Sequence, residues 1–298
     1  DIDRKIDRLS EAQFGVLDVL QRVPRAEISG GAGTGKTLLA LEKSRRLADQ
    51  GLKVLLTCYN RPLADRLSSL SSDLKNLDVL TFHQLCIQAA DKASIERPDE
   101  KDFDIYPQIL EQSLAVTGPQ YDAIIVDEGQ DFGQGTSQAD WWTALELSLN
   151  DPGILYLFLD RNQNVYGDLG DLPNNLVPCD LTENRRNTRQ IHGYARKLYS
   201  GSEFSAVGPR GPAVEFFQQD EDDLTGTTEA LSVELKRLRT SLEPEDIKVL
   251  AKERSKLQIE ECSSRSQEPI SVDILWAFDS NLSYARQWES QIVAALFG

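Results

Sequence analysis

The sequence predicts an α/β protein whose sheets are mainly parallel. Short apolar, β-branched runs alternate along the chain with longer helical patterns, as expected of strands joined by crossover helices. A first set of predicted strands covers residues 26–29, 53–59, 77–82, 122–127 and 154–160. A second set covers 177–183, 213–218, 247–251 and 270–276. Since 298 residues suffice for about two domains, we predict domains at 1–175 and 176–298, divided in the segment GDLPNNL.

Composition restricts the class of protein. The net charge of −16 argues against a protein that coats nucleic acid non-specifically. The four cysteines form no C-x-x-C pair, and no apolar run reaches the roughly 18 residues of a membrane span. These features predict a reduced, cytoplasmic protein without structural zinc and without a membrane partner. The segment 183–197 is strongly basic, and it is either a solvated helix face or a local binding track.

A glycine-rich segment, ISGGAGTGKTLLALEKSRRLADQG (28–51), follows the first predicted strand and opens a predicted helix. Gly30, Gly35, Lys36 and Thr37 fit the pattern G-x-x-x-x-G-K-[ST] of the phosphate-binding P-loop. Its glycines let backbone N–H groups converge on a phosphate, and the helix over about 37–50 adds its positive dipole end. The alternative is a glycine-rich turn between a strand and a helix.

In the P-loop interpretation each residue has a role. Lys36 would reach the β- and γ-phosphates, and the Thr37 hydroxyl would ligate Mg²⁺. The predicted cofactor-binding residues of this segment are Gly31, Ala32, Gly33, Thr34, Gly35, Lys36 and Thr37.

The predicted strand over 122–127 ends in two adjacent carboxylates, Asp127 and Glu128. A buried strand that delivers a carboxylate at its carboxyl end supplies what a P-loop site needs for Mg²⁺. Asp127 would hold the metal, and Glu128 would orient and deprotonate the attacking water. The alternative is an exposed acidic turn.

Together these motifs resemble, in order over roughly residues 8–191, those of superfamily 1 helicases of the UvrD/Rep type. VDEGQD (126–131) is similar to motif II, and LDRNQNVYG (159–167) is similar to motif III, with Asp160, Gln163 and Tyr166 in register. LTENRRNT (181–188) resembles motif IV, which implies that Arg186 reaches the γ-phosphate across a domain cleft. Arg186 could instead be a surface arginine at a helix start.

The same resemblance implies the fold and further roles. It implies two RecA-like P-loop domains with ATP and Mg²⁺ as cofactors, Gln163 and Arg186 as catalytic residues and Asp160 as a cofactor-binding residue. LSEAQFGVLD (9–18) resembles the Q motif, so that Gln13 would read adenine. The pair Ser10 and Gln13 also fits a capping box that opens a helix.

Two segments resemble the DNA-contacting motifs of the family. TCYNRPLA (57–64) implies that Tyr59 and Asn60 face single-stranded DNA, and LTFHQL (80–85) implies the same of Thr81, Phe82 and His83. An aromatic side chain would supply sequence-tolerant affinity by stacking on a base. As an alternative, Thr81 and Gln84 could form a capping box, and Phe82 could belong to the core.

The sequence also departs from the family pattern. Only 43 residues (84–126) separate His83 from Asp127, where the family usually inserts an accessory domain. The motif III segment lacks the family's base-stacking tryptophan, and motifs V and VI have no convincing match. We therefore expect a reduced relative.

The resemblance implies an ATP-dependent helicase or translocase that acts on single-stranded DNA with 3′-to-5′ polarity, in repair, recombination or phage defence. The alternative is an ATP-driven switch or motor subunit that binds a nuclease or repair partner without unwinding. A small-molecule P-loop kinase is a third reading, and DEGQD together with DRNQNVY argues against it.

Overall fold

The structure, a computed structural model, describes residues 11–97, 105–132, 138–161, 172–184, 187–198 and 205–208, together with positions 210, 233 and 237. Six strands form one sheet: β1 (Arg25–Gly30), β2 (Val54–Cys58), β3 (Leu77–Thr81), β4 (Tyr121–Val126), β5 (Leu149–Leu159) and β6 (Val177–Leu181). Their order is β3-β2-β4-β5-β1-β6, and every neighbouring pair is parallel. A separate parallel pair joins β7 (Glu183–Asn184) to β8 (Ser205–Ala206).

Helices connect the strands and cover both faces of the sheet, as a parallel sheet requires. They are α1 (Glu11–Val19), α2 (Lys36–Asp49), α3 (Arg61–Leu70), α4 (Phe82–Ala93), α5 (Tyr106–Thr117), α6 (Gln138–Leu147) and α7 (Arg189–Ala195). Short 3₁₀ turns cover Leu20–Arg22, Gly129–Asp131 and Arg196–Leu198. Within the described part of the chain, no helix has the length and apolarity needed to span a bilayer.

Two hydrophobic cores lie on opposite faces of the sheet. One packs beneath α1, α2 and α3, and the other packs beneath α4, α5 and α6. Successive strand residues alternate between the two cores, as the two-residue period of a strand demands. Along β4, for example, Ile125 packs in the first core, whereas Ile124 and Val126 pack in the second. Because both faces of each strand are buried, the strand sequences are nearly continuous runs of apolar residues.

The prediction of a mainly parallel α/β fold is confirmed. All five strands of the first predicted set are present, and the helix predicted over about 37–50 spans Lys36–Asp49. Gly51, with φ of 90°, ends it in the left-handed conformation that favours glycine.

One strand was assigned to the wrong set. The strand predicted over 177–183 was grouped with the second domain, but β6 pairs with β1 in the first sheet, with Ile28 opposite Cys179. The other strands of the second set lie outside the described residues. The second RecA-like domain, and the division into 1–175 and 176–298, therefore stay predictions.

Candidate functional site

The candidate site residues gather at one edge of the sheet. The P-loop follows β1, Asp127 follows β4, and Asp160 follows β5. Because the strands are parallel, their carboxyl ends meet at this edge, where ligands of open α/β sheets bind. Only β5 separates β1 from β4. The fold thus brings together residues that lie far apart in sequence.

The P-loop itself is compact and needs its glycines. Gly33 and Gly35 have φ of 81° and 90°, a backbone region that other residues rarely adopt. The Thr34 hydroxyl donates a hydrogen bond to the carbonyl oxygen of Gly31 at 2.7 Å, which closes the turn. Helix α2 begins directly after Gly35, so its first N–H groups and its positive dipole end open onto the loop.

Lys36 is buried within this loop. Its Nζ donates hydrogen bonds to the carbonyl oxygens of Gly30 at 2.8 Å and Gly31 at 3.3 Å. The same Nζ lies 3.7 Å from Oδ2 of the fully buried Asp160. Two residues predicted from separate motifs, Lys36 and Asp160, therefore form one ion pair at the end of β5.

Asp127 is the most unusual carboxylate of the site. It is fully buried, and neither of its oxygens accepts a hydrogen bond of good geometry from the described residues. Burial raises the pKa of Asp127, and the nearby charge of Glu128 raises it further. The Thr37 hydroxyl, which lies close enough to donate to the carboxylate, the Lys36 ammonium and the Glu128 N–H lower this pKa. A buried carboxylate with such weak hydrogen bonding is unfavourable on its own, and a bound cation removes that penalty.

These residues fit Mg²⁺. Among the described residues, no group of three or more His, Cys, Asp and Glu side chains could hold a metal ion by itself. Mg²⁺ does not need such a group, because it is usually held by one or two protein ligands together with phosphate oxygens and water. Thr37 and Asp127 would supply those protein ligands.

Glu128 is held by a residue to which the sequence analysis gave no role. The backbone of Glu128 is in the left-handed conformation, with φ of 53° and ψ of 45°. Gln130 Nε2 donates a hydrogen bond to Glu128 Oε2 at 2.6 Å, and the Asp160 N–H donates to Gln130 Oε1 at 3.0 Å. Gln130 therefore links Glu128 to the end of β5. Its place in VDEGQD, two positions after Glu128, was the available signal.

Two asparagines beside the P-loop were also missed. Asn184 Nδ2 donates a hydrogen bond to the Ala32 carbonyl oxygen at 3.0 Å, and the Asn187 N–H donates to Asn184 Oδ1 at 3.1 Å. Both side chains are buried. They lie in LTENRRNT, where only Arg186 drew attention, and nothing in the local sequence pointed to contact with the P-loop.

Several predicted residues cannot be placed. Gln163, Tyr166 and Arg186 lie outside the described residues. Gln13 lies in α1, but its side chain is outside the described part of the structure. Their roles stay predictions.

The predicted DNA-contacting residues lie at the ends of β2 and β3, and the two buried ones have structural roles. Phe82 is fully buried and stacks on Trp141, with ring centroids 4.1 Å apart. This burial agrees with the core alternative and argues against the DNA contact of Phe82, which stays a prediction. Thr81 is buried and forms the capping box of α4 with Gln84, which leaves its hydroxyl engaged with the helix.

The remaining three are more accessible. The Tyr59 side chain is 39 % exposed, and its ring centroid lies 6.2 Å from that of Trp141 and 5.8 Å from that of His83. Asn60 is exposed, and its side chain caps α3 by accepting a hydrogen bond from the Leu63 N–H. His83 is half-buried, and burial lowers its pKa. Tyr59 is thus the aromatic ring of this segment that a ligand can reach.

A family model for the AAA domain matches residues 19–167, which is half of the chain. The chain belongs to this AAA domain family. The matched region begins before β1 and runs past Asp160. It contains the P-loop and the carboxylates described above, whereas Asn184 and Asn187 lie beyond it. No curated protein matches the chain.

Solved structures that match the chain include the Pif1 helicase from Candida albicans, at 14 % identity and a TM-score of 0.38, covering 64 % of this chain and 43 % of that chain. AMPPCP-bound DnaA from Aquifex aeolicus matches at 14 % identity and a TM-score of 0.34, covering 79 % and 62 %. Bacteroides Pif1 bound to ssDNA matches at 15 % identity and a TM-score of 0.29, covering 81 % and 53 %. The chain thus spans 43 % of the first of these proteins.

Proposed function

We propose that this AAA domain protein is an ATP-dependent helicase or translocase that acts on single-stranded DNA. The observation that carries the proposal is the arrangement of Lys36, Asp127 and Glu128 at one sheet edge, with the exposed Tyr59 on the same edge. The finer resemblance to UvrD/Rep-type helicases supports 3′-to-5′ polarity and a role in repair, recombination or phage defence, and the cysteine pattern supports a cytoplasmic location.

The P-loop side of the site would bind the nucleotide. The backbone N–H groups of the loop and of the start of α2 would receive phosphate oxygens. Lys36, already inside the loop and paired with Asp160, would exchange its carbonyl contacts for phosphate oxygens. Mg²⁺, held by Thr37 and Asp127, would neutralise charge on the β- and γ-phosphates.

The carboxylate side of the site would activate water. Glu128 would accept a proton from the attacking water, and Gln130 would hold the carboxylate in place through its 2.6 Å hydrogen bond. Because Gln130 also binds the Asp160 backbone, it links Glu128 to the Lys36–Asp160 pair. In this proposal Gln163 and Arg186 complete the site, and Gln13 reads adenine.

The end of β2 would contact DNA. Tyr59 exposes part of its ring beside Trp141 and His83, and this surface fits the face of a nucleobase. β2 lies next to β4, so Tyr59 and Asp127 follow neighbouring strands. The Asp127 N–H donates a hydrogen bond to the Thr57 carbonyl oxygen at 2.8 Å, which couples the two strand ends directly.

A second candidate is an ATP-driven switch or motor subunit that binds a nuclease or repair partner without unwinding. The short connection between α4, which ends at Ala93, and α5, which begins at Tyr106, favours it. That connection is where unwinding relatives carry an inserted domain. Translocation on one strand avoids the cost of opening base pairs, about 1.4 kcal/mol per step.

The deciding experiment measures ATP hydrolysis with and without single-stranded DNA over a range of salt. We expect stimulation by single-stranded DNA that fades as salt rises, because phosphate contacts carry part of the binding. Equal rates with and without DNA would favour the switch. Streptavidin displacement from biotinylated single strands, compared with separation of a tailed duplex, then distinguishes a translocase from a helicase. The Glu128→Gln variant is the control for both assays.

A further inference from the structure

We propose that Asn184 is a positioning residue of the nucleotide site, which orients the peptide bond between Ala32 and Gly33 for phosphate binding. The inference rests on the proposed function, because it assumes that the P-loop binds a nucleotide. Asn184 lies 152 positions from Ala32 in sequence, and its buried side chain is hydrogen-bonded to the apex of the loop.

The first step is the geometry of the peptide bond. Asn184 Nδ2 holds the carbonyl oxygen of Ala32 at 3.0 Å. In a planar trans peptide the C=O and the following N–H point in opposite directions. Fixing the Ala32 carbonyl therefore fixes the Gly33 N–H, which points away from Asn184. A P-loop binds phosphate through such N–H groups.

The second step is the close fit at Gly33. A Cβ atom built on Gly33 would lie 2.7 Å from Asn184 Oδ1 and 3.0 Å from Asn187 Nδ2. Gly33 also has a φ of 81°. Glycine is thus required at this position both by the backbone conformation and by the close approach of the two asparagines. The asparagine side chains pack directly against the loop.

The third step is the orientation of the Asn184 amide itself. The Asn187 N–H donates to Oδ1 at 3.1 Å, and the Ala32 carbonyl oxygen can only accept, so the amide has one orientation that satisfies both partners. The backbone of Asn184 is held as well, because its main-chain carbonyl oxygen accepts a hydrogen bond from the Val207 N–H at 3.0 Å. Asn184 is therefore held from both sides while it holds the loop.

The test is the Asn184→Asp variant, which is nearly isosteric. It keeps Oδ1 as the acceptor for the Asn187 N–H but replaces the donor to Ala32 with a second acceptor. Asn187→Asp is the matched control. It adds the same charge equally close to Gly33, and it keeps both the Asn184 donor to Ala32 and the Asn187 backbone N–H that holds Asn184 Oδ1. It removes only the longer hydrogen bond, of 3.5 Å, from Asn187 Nδ2 to the same oxygen. Asn184→Ala removes the donor without adding charge.

The measurements are the Kd of ADP by calorimetry and the Tm without nucleotide. We expect Asn184→Asp and Asn184→Ala to weaken ADP binding about tenfold or more, since a hydrogen bond that orders a charge-binding group is lost. We expect Asn187→Asp to change the Kd much less. Both aspartate variants bury an added charge, so their Tm should fall by similar amounts, whereas Asn184→Ala should keep a Tm within a few degrees of the wild type.

Three results would overturn the inference. Wild-type ADP affinity in both Asn184 variants would show that the hydrogen bond to Ala32 has no role in binding. Equal losses of ADP affinity in Asn184→Asp and Asn187→Asp, without a loss in Asn184→Ala, would show that the added charge weakens binding and that the hydrogen bond to Ala32 does not matter. A weaker Kd accompanied by a collapsed Tm in both Asn184 variants would show a structural role. If the wild-type protein binds no ADP, the proposed function falls, and this inference falls with it.

Discussion

The central and outer strands of the sheet end in different chemistry along the same edge. At the centre, β1, β4 and β5 end in a glycine-rich loop, Asp127 and Asp160. Toward the outside, β2 and β3 are followed by Tyr59 and by Phe82 and His83, which pack with Trp141 of α6. The central region contains buried charge, and the outer region contains aromatic rings. The fold provides the shared edge, and the side chains after each strand decide what can bind there.

The two regions also differ in how motif residues divide between function and structure. At the centre, Lys36 and Asp160 contact each other, and the buried carboxylate of Asp127 is suited to bind a cation. In the outer region, Thr81 caps a helix, Phe82 fills the core, and Tyr59 remains exposed. In the central region, buried charged motif residues thus come together as a site. Where the motif residues are aromatic, burial has to be known residue by residue.

The largest effect is expected for Glu128→Gln in the central region. Removing the proton acceptor should lower kcat by about 10²–10⁴-fold, the usual contribution of general base catalysis. The Kd of ATP should change little, because Asp127 and Lys36 remain. Steady-state hydrolysis and ATP binding would be measured with Glu111→Gln on α5 as a matched control. A collapse of ATP affinity in Glu128→Gln would instead assign Glu128 to metal binding.

A somewhat smaller effect on turnover is expected for Lys36→Ala. Loss of a preorganised cation at the transferring phosphate costs about 10²–10³-fold in rate, and nucleotide affinity should fall with it. The control is Lys53→Ala, which removes an ammonium that pairs with Asp78 at 2.7 Å on the surface. The circular dichroism spectrum should stay unchanged. Near wild-type turnover with an intact fold would contradict the P-loop assignment and remove the contrast between the two regions.

In the outer region, Phe82→Ala should act on stability. Truncating a fully buried phenylalanine typically costs about 3–5 kcal/mol, from lost burial and the cavity left behind. Denaturant unfolding of Phe82→Ala and Phe82→Leu would measure it, with the leucine variant losing less. If Phe82→Ala kept its stability and lost DNA binding, the ring would be a contact residue, and the distinction between Phe82 and Tyr59 would fail.

Much of the central region could be predicted from the sequence because its signals are local. Glycine spacing identifies the P-loop, and an apolar run that ends in Asp127 identifies a strand carrying a carboxylate. The contacts that could not be predicted join distant segments. Asn184 reaches Ala32 across 152 positions, and β6 joins the first sheet although it follows the predicted boundary. Neither contact produces a periodic pattern in the sequence from which it could be predicted.

The outer region was harder to predict for a different reason. Whether Phe82 points outward depends on the rotation of α4 about its axis, which is set by packing against Trp141 and Phe132. From the sequence alone, a capping box at Thr81 and a core position for Phe82 were only alternatives. The structure shows both features. Tyr59 follows β2 directly, so that its exposure depends on how far α6 covers the strand end.

The smallest effect is expected for Tyr59→Ala, and it tests the outer region most directly. Loss of one base–aromatic stack should weaken binding to a dT oligonucleotide by about 1–3 kcal/mol, which is roughly 5- to 150-fold. Tyr59→Phe is the matched control, because it keeps the ring and removes only the hydroxyl. Fluorescence anisotropy at several salt concentrations would measure both variants.

The salt dependence separates stacking from charge. Tyr59 carries no charge, so Tyr59→Ala should shift the affinity at every salt concentration and leave the slope of log K against log salt unchanged. ATP hydrolysis without DNA should also stay at the wild-type rate, since Tyr59 follows β2 and belongs neither to the P-loop nor to the carboxylates after β4 and β5. If Tyr59→Ala bound DNA as tightly as Tyr59→Phe, the exposed ring would not be a nucleobase contact. The aromatic cluster would then have only a packing role, and the difference between the two regions would be one of packing alone.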